Sequence, residues 1–269
     1  MCWRWSRESG YFRKAVVLVR YALELKYDGT NYHGWQCQDK VVTVQEVLQK
    51  CISKILRDTV AVTGCGRTDT GVHASHFVAH FLYEAEMLSD FLFRLNNLLP
   101  KDIAVDSIHQ VSDKFNARFD AITRTYRYQI TTSKNPFDRA YAHLFYRPFD
   151  LEKMNAACEI LKSHKEFGAF CKSHTQNKTN ICDITEANWV RDGTMLIFKI
   201  TANRFLRNMV RAIVGTLLEV GENKITLQEF EDIIESQNRQ RAGYSVPAKG
   251  LFLEKVMYNR SDWKLIDNR

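Results

Sequence analysis

The eleven residues Gly64-Cys65-Gly66-Arg67-Thr68-Asp69-Thr70-Gly71-Val72-His73-Ala74 constrain this chain more than any other stretch. Three glycines fall within eight positions, and between them one carboxylate and one guanidinium stand two residues apart. Glycine loses more backbone freedom on folding than any other residue, so such a run belongs where the chain needs unusual dihedrals or where a ligand comes close to the backbone. Val60-Ala61-Val62-Thr63 reads as a strand entering the loop, and His76 to Tyr83 as the strand leaving it. A loop based on two strands is a rigid mount for Asp69. The plain alternative is a turn in which Asp69 only bonds its own backbone. A dinucleotide fingerprint is excluded because Gly66 is followed next by Gly71, which is too far away, and a P-loop is excluded because Arg-Thr-Asp stands where Gly-Lys-Ser/Thr is needed.

The rest of the chain narrows the classes of function. Its 269 residues, 45% hydrophobic, suffice for one large or two ordinary domains with a real core. Lys and Arg number 38 against 31 Asp and Glu, and the resulting charge of +7 points to a polyanionic partner. Seven cysteines, an odd number without a C-x-x-C pair, argue against a disulfide framework and a thiolate zinc site, and fit reduced thiols in a cytoplasmic protein. His76 and His80 share a strand face but lie about 13 Å apart at roughly 3.3 Å per residue, too far for one ion with or without His73. No metal and no cofactor is expected. No apolar run approaches the roughly 18 to 20 residues of a membrane span. Residues 1–20 are basic and aromatic with a short apolar stretch, Ala15 to Val19, and read as an extension outside the fold.

Period-2 and helical patterns give the order of elements. Tyr21 to Tyr27 alternates as a half-buried strand, and a helix follows from Val44 with Thr43 and Glu46 as a capping-box pair. Ser89 to Leu98 reads as a helix, Ile103 to Ile108 and Arg124 to Ile130 as strands, and Asp150 opens a helix faced by Leu151, Met154, Cys158 and Leu161. Asp192-Gly193 turns a hairpin between Ile184–Arg191 and Met195–Thr201. Helices are then expected over Phe205 to Val220 and Thr226 to Ser236, with a last strand over Leu251 to Met257. The reading is an α+β chain of two mixed α/β halves: an N-terminal domain over 21–115 with the glycine loop, a C-terminal domain over 116–260, and a tail over 261–269.

Six stretches, in order along the chain, carry a family resemblance. The glycine loop reads GxGRTDxGVHA. Tyr27-Asp28-Gly29-Thr30-Asn31-Tyr32-His33-Gly34-Trp35-Gln36 precedes it, and Phe115-Asn116-Ala117-Arg118-Phe119 leads to Arg124-Thr125-Tyr126-Arg127-Tyr128. Phe205-Leu206-Arg207-Asn208-Met209-Val210-Arg211 and Pro247-Ala248-Lys249-Gly250-Leu251-Phe252-Leu253 follow. Together they resemble the TruA family of tRNA pseudouridine synthases over nearly everything from residue 21 to about 258. The resemblance implies two α/β domains with joined, mainly antiparallel sheets flanked by helices, a basic cleft between them, and a homodimer. It implies isomerisation of uridine at positions 38, 39 and 40 of the tRNA anticodon arm, without electron exchange or an imported group.

Residue by residue, the resemblance makes Asp69 the catalytic carboxylate, either attacking the nucleoside or removing a sugar proton to give a glycal. Arg211 becomes its ion-pair partner. Tyr126 stacks on the target uracil or handles its proton, and Leu251 walls the base pocket. Arg67 fills the space of a flipped nucleotide or holds phosphate, since a base in a stem is unreachable without extrusion. Arg204, Arg207 and Arg211 fall at i, i+3 and i+7, which predicts one shared helix face, with Arg204 and Arg207 toward phosphate. Core packing competes for Tyr126 and Leu251, and a solvated face for the arginines. A non-catalytic RNA-binding protein on the same scaffold would not need Asp69, and a glycosidase would want paired acids where the loop has one.

Overall fold

A computed structural model describes residues 18–172 and 178–268; most of the basic extension, residues 1–17, lies outside them. Fifteen elements follow one another: β1 (Val19–Tyr27), α1 (Val44–Leu56), β2 (Thr63–Gly64), β3 (His73–Tyr83), α2 (Phe91–Leu98), β4 (Ile103–Val111), β5 (Thr123–Thr131), β6 (His143–Leu144), α3 (Leu151–Ser163), β7 (Ile184–Asp192), β8 (Met195–Ala202), α4 (Met209–Gly221), α5 (Leu227–Glu235), β9 (Leu251–Met257) and β10 (Lys264–Asn268). All ten strands form one sheet in the order β10-β4-β1-β3-β9-β5-β8-β7, with β2 on β3 and β6 on β5. The ladders are antiparallel except β3 with β9 and β5 with β6. The fold is α+β.

The strand patterns explain where the cores sit. On β1, Tyr21, Leu23, Leu25 and Tyr27 are buried, and they join α1 and α2 in one hydrophobic cluster. Tyr128 and Ile130 of β5 join α3, α4 and α5 in a second. β9 serves both: Leu251 packs into the second cluster, Leu253 and Val256 into the first. The chain's penultimate strand therefore returns to the middle of the sheet, beside the strand that leaves the glycine loop.

Local capping agrees with the sequence. Thr43 caps α1 by accepting from the Glu46 N–H, Asp150 caps α3, and Thr226 with Glu229 forms a complete capping box at α5. Three expectations do not hold. Val60 to Val62 do not join a ladder before β2; the Ser53 hydroxyl and the Gln49 and Gln45 amides, all on α1, take up their backbone groups instead. Of the segment read as a tail, Lys264–Asn268 form β10, which pairs with β4 at the sheet edge. The helix expected from Phe205 starts at Met209, since Asn208 stands at φ +66° in the left-handed region and breaks the helical path. Among the described residues no disulfide joins the cysteines, and no helix is long and apolar enough to cross a membrane.

The partly buried Glu24 and the buried His80 give the fold a defined acid response. Glu24, on the sheet face away from α1 and α2, accepts from the Ser107 hydroxyl at 2.8 Å and meets His76 Nε2 at 3.0 Å, His109 Nε2 at 3.2 Å and the Arg260 guanidinium. Burial alone would raise its pKa, but the bonds from His109, His76 and Ser107 and the Arg260 charge together hold it well below the usual carboxylate range. His80 is 5% exposed and accepts the Ala117 N–H at Nδ1; burial, then the Arg20 charge, pushes its pKa down to about 4. As pH falls below about 6.5 the unfolded chain takes up this proton before the native one does, so stability present above 6.5 is lost progressively toward pH 4. Glu24 acts in the same direction lower down: its contribution is present above the unfolded carboxylate pKa of about 4.3 and lost below it.

His80→Asn should keep an acceptor for the Ala117 N–H and flatten this slope. The expected difference in urea-derived stability loss between pH 7 and 4.5 is on the order of 2 kcal/mol. His73 and His143, also lowered by burial, keep part of the slope in place. A slope identical to the parent's would rule out His80 as its source.

Candidate active site

The glycine loop is shaped by the segment that precedes it in the sequence. Tyr27 Oη and Thr68 Oγ1 share a hydrogen bond of 2.9 Å, and Trp35 N–H donates to the Thr68 carbonyl at 3.3 Å. Gly34 sits at φ +85°, where a Cβ would lie 2.3 Å from that same carbonyl oxygen, so only glycine fits beneath the loop there. Val72 N–H donates to the Asp69 carbonyl at 3.1 Å with Gly71 at φ +75° in the third position, the geometry of a type II turn. Gly66 has no positive φ, and a Cβ built on it would meet nothing within 4 Å, so it borders open space beside the loop.

The far side of the site comes from the second half of the chain. Arg211, in the first turn of α4, lies with Nη1 3.6 Å from Asp69 Oδ2, while its Nε–H donates to the Val246 carbonyl at 2.8 Å. Arg207 Nε is 4.0 Å from Asp69 Oδ1. These are charge contacts at longer range than a good hydrogen bond, and among the described residues no hydrogen bond engages the Asp69 carboxylate. Its oxygens face two guanidinium groups with their lone pairs uncommitted. The side chain is 30% exposed, so a substrate can reach it.

The aromatic residues line the approach. Tyr126 is partly buried, packs edge-on against Phe205 at 5.1 Å between ring centres, and touches both hydrophobic clusters. Among the described residues no hydrogen bond engages its hydroxyl. Burial, reinforced by Cys65 and Asp69 and opposed by Arg124, raises its pKa, so it is a neutral phenol at neutral pH. Tyr128 is fully buried and donates to the Pro247 carbonyl at 2.9 Å. That bond braces the Val246–Gly250 turn, on which Arg211 rests. Leu251 is 5% exposed, lies opposite Tyr128 in the β5/β9 register, and belongs to the core cluster. His73, at the loop's exit, is buried, accepts the Gly29 N–H at 3.1 Å and stacks on Phe252 at 4.6 Å.

The structure thus brings Asp69, Arg207, Arg211 and Tyr126 together. Arg67 is exposed and, among the described residues, makes no ion pair or hydrogen bond. The shared helix face is not formed: Arg204 and Arg207 precede α4, on a loop that runs through the left-handed Asn208. Arg207 still reaches Asp69, whereas Arg204 lies by Cys182, whose thiol its charge acts on. The sequence reading also left Arg124 without a role. An arginine two residues before Tyr126 on a period-2 strand, hence on the aromatic inward side, is the signal that marks it. His73, His76 and His80 bind separate partners and do not converge. Among the described residues His164, Glu231 and Glu235, on α3 and α5 and their ends, bring possible metal-ligand atoms within 4.8 Å of one another, on elements that carry none of the site residues.

The sequence model of one protein family, described as tRNA pseudouridine synthase, matches residues 25–120 and 157–259, which include the glycine loop and Arg211. The chain belongs to the tRNA pseudouridine synthase family. It is 51% identical to tRNA pseudouridine synthase A of Bacteroides fragilis over 246 residues, covering 90% of this chain and 98% of the relative. The protein of the same name from Bacteroides thetaiotaomicron is also 51% identical over 246 residues, covering 90% and 91%. That of Clostridium acetobutylicum is 43% identical over 239 residues, covering 88% and 98%. Membership of this family makes the protein an isomerase.

Proposed function

We propose that this protein converts uridine to pseudouridine at positions 38, 39 and 40 of the tRNA anticodon arm, with Asp69 as the essential group. The observation that carries the reading is a single reachable carboxylate, on a loop fixed from beneath by Tyr27 and Gly34, facing Arg207 and Arg211 from the other half of the chain. The reaction breaks the N1-glycosidic bond, turns the base, and joins C5 to the ribose C1′. Nothing is oxidised and nothing is imported, so its demand is one reactive carboxylate with electrostatic and stacking control. Attack on the nucleoside and removal of a sugar proton both start from ionised Asp69, the form two guanidiniums favour.

The remaining roles follow from position and chemistry. Arg211, half-enclosed and tied to Val246, is the fixed partner of Asp69; Arg207, 57% exposed, is free to move between Asp69 and a phosphate. Tyr126, as a neutral phenol in an aromatic corner with Phe205, suits stacking on the extruded uracil better than proton abstraction. Leu251 serves as apolar backing behind that base, through the β5/β9 pairing. Arg67, exposed beside Asp69, suits contact with the backbone or the gap left by extrusion, and Arg204 suits a phosphate further out. The net charge of +7 supports a polyanionic substrate. The reading includes a homodimer acting in the cytoplasm.

Incubation with an unmodified tRNA transcript, followed by mapping of pseudouridine, tests the substrate. Product at positions 38 to 40 of the anticodon arm is expected; product confined to other positions, or none, would overturn the assignment.

Tyr126→Phe should retain most of the single-turnover rate, and Tyr126→Ala should lose the stacking contribution of roughly 1 to 3 kcal/mol, or about 5- to 150-fold. Equal loss in both variants would transfer the role to the hydroxyl.

A further inference from the structure

Arg124 is an arginine without a carboxylate. Among the described residues no ion pair involves it; four backbone carbonyls take its place. Nη1 donates to the Asn203 carbonyl at 2.8 Å and to the Ala121 carbonyl at 3.1 Å. Nη2 donates to the Cys65 carbonyl at 2.9 Å and to the Arg118 carbonyl at 2.7 Å. Four of the five N–H groups in a planar guanidinium are thereby spent on main chain from three separate segments.

Those segments matter because of what lies downstream. Cys65 stands four residues before Asp69, and Asn203 four residues before Arg207, which meets Asp69 at 4.0 Å. The third segment, Asn116 to Ala121, carries Arg118 and Phe119, both exposed, with the Arg118 guanidinium 5.5 Å from the Phe119 ring centre. The Asn203 loop leaves β8 directly and is tied to Asp183, the Asn203 N–H donating to the Asp183 carbonyl at 3.2 Å and the Asp183 N–H donating to Asn203 Oδ1 at 2.8 Å, before the left-handed Asn208 separates it from α4. One guanidinium thus bridges the loop that bears the carboxylate and the loop that bears its mobile counter-charge directly.

We propose that Arg124 is a positioning residue for the isomerisation: it fixes the Asp69 loop against the Arg207 loop and against the Arg118–Phe119 segment, without itself touching the reacting atoms. The assignment rests on the function proposed above. Its chemistry is the planar fork. A lysine keeps the charge and much of the stem but donates from one nitrogen, and one nitrogen cannot reach carbonyls that a guanidinium serves from two. A displacement of about 1 Å at a reacting pair costs on the order of 100-fold in rate.

Arg124→Lys and Arg124→Met separate this role from plain stability. Each is assayed on unmodified tRNA at saturating enzyme for its single-turnover rate, by filter binding for affinity, and by urea titration for folding. The expected result in Arg124→Lys is a rate lower by about 100-fold, tRNA affinity within about threefold of the parent, and a cooperative unfolding transition. Arg124→Met should lose at least as much rate. A rate within about threefold of the parent in Arg124→Lys would overturn the proposal, as would full rescue by lysine of a loss seen with methionine, since charge alone would then suffice. Loss of folding in both variants would assign Arg124 to the core and overturn it as well. The parent protein keeps the two readings apart. If it makes no pseudouridine, the functional assignment fails; if it does and Arg124→Lys keeps pace, only the positioning role fails.

Discussion

A carboxylate near residue 70 can meet guanidinium groups beyond residue 200 only because β9 returns to the centre of the sheet and pairs in parallel with β3. The ladder is short, His73 with Phe252 and Ala74 with Leu253, but it sits at the exit of the glycine loop. Every other ladder on the main path of the sheet is antiparallel. Side chains reinforce the seam on both sides: His73 stacks on Phe252, and Tyr128 holds Pro247 at the entrance to β9. Remove the seam, and Asp69 and Arg211 belong to two separately cored halves.

The energetics of the ion pairs say what they are for. Asp69 is 30% exposed and its partners stand at 3.6 and 4.0 Å, so water screens the attraction and the pairs add little to stability, about 0 to 1 kcal/mol each. Their value lies in pre-arrangement. When a substrate displaces that water, the same charges act at lower dielectric on whatever charge develops beside Asp69, and they need no reorganisation to do so. Rigidity is correspondingly placed in the backbone. Gly34 and Tyr27 fix Thr68, Val246 fixes Arg211, and Arg124 fixes Cys65 and Asn203.

Much of this was legible from residue order. Alternation located β1, aromatic and β-branched content located β5, and the Asp192-Gly193 turn located the β7–β8 hairpin, while the loop motif with its preceding Tyr27–Gln36 segment marked the candidate site. The misreadings have specific causes. Phe205, Leu206 and Met209 continue a helical period into a loop, and nothing in apolar spacing reveals the left-handed Asn208 that stops it. Val60 to Val62 have strand-like composition, yet side chains of α1 satisfy their backbone groups better than a ladder does. β10 is an edge strand with polar residues, which period-2 reasoning does not detect. Arg124 was visible as a letter in a motif, but its part depends on four carbonyls that converge only in three dimensions.

The central claim is that one carboxylate, held by charges from the opposite half of the chain, performs the reaction. Asp69→Asn tests it most directly, because the amide keeps the size of the side chain and removes both its charge and its capacity to attack or to take a proton. Single-turnover pseudouridine formation and tRNA affinity should be measured on the same preparation. The account predicts undetectable turnover with binding close to that of the parent. An Asp69→Asn protein that isomerises uridine at a substantial fraction of the parent rate would contradict it and leave a scaffold that binds RNA through its basic surface.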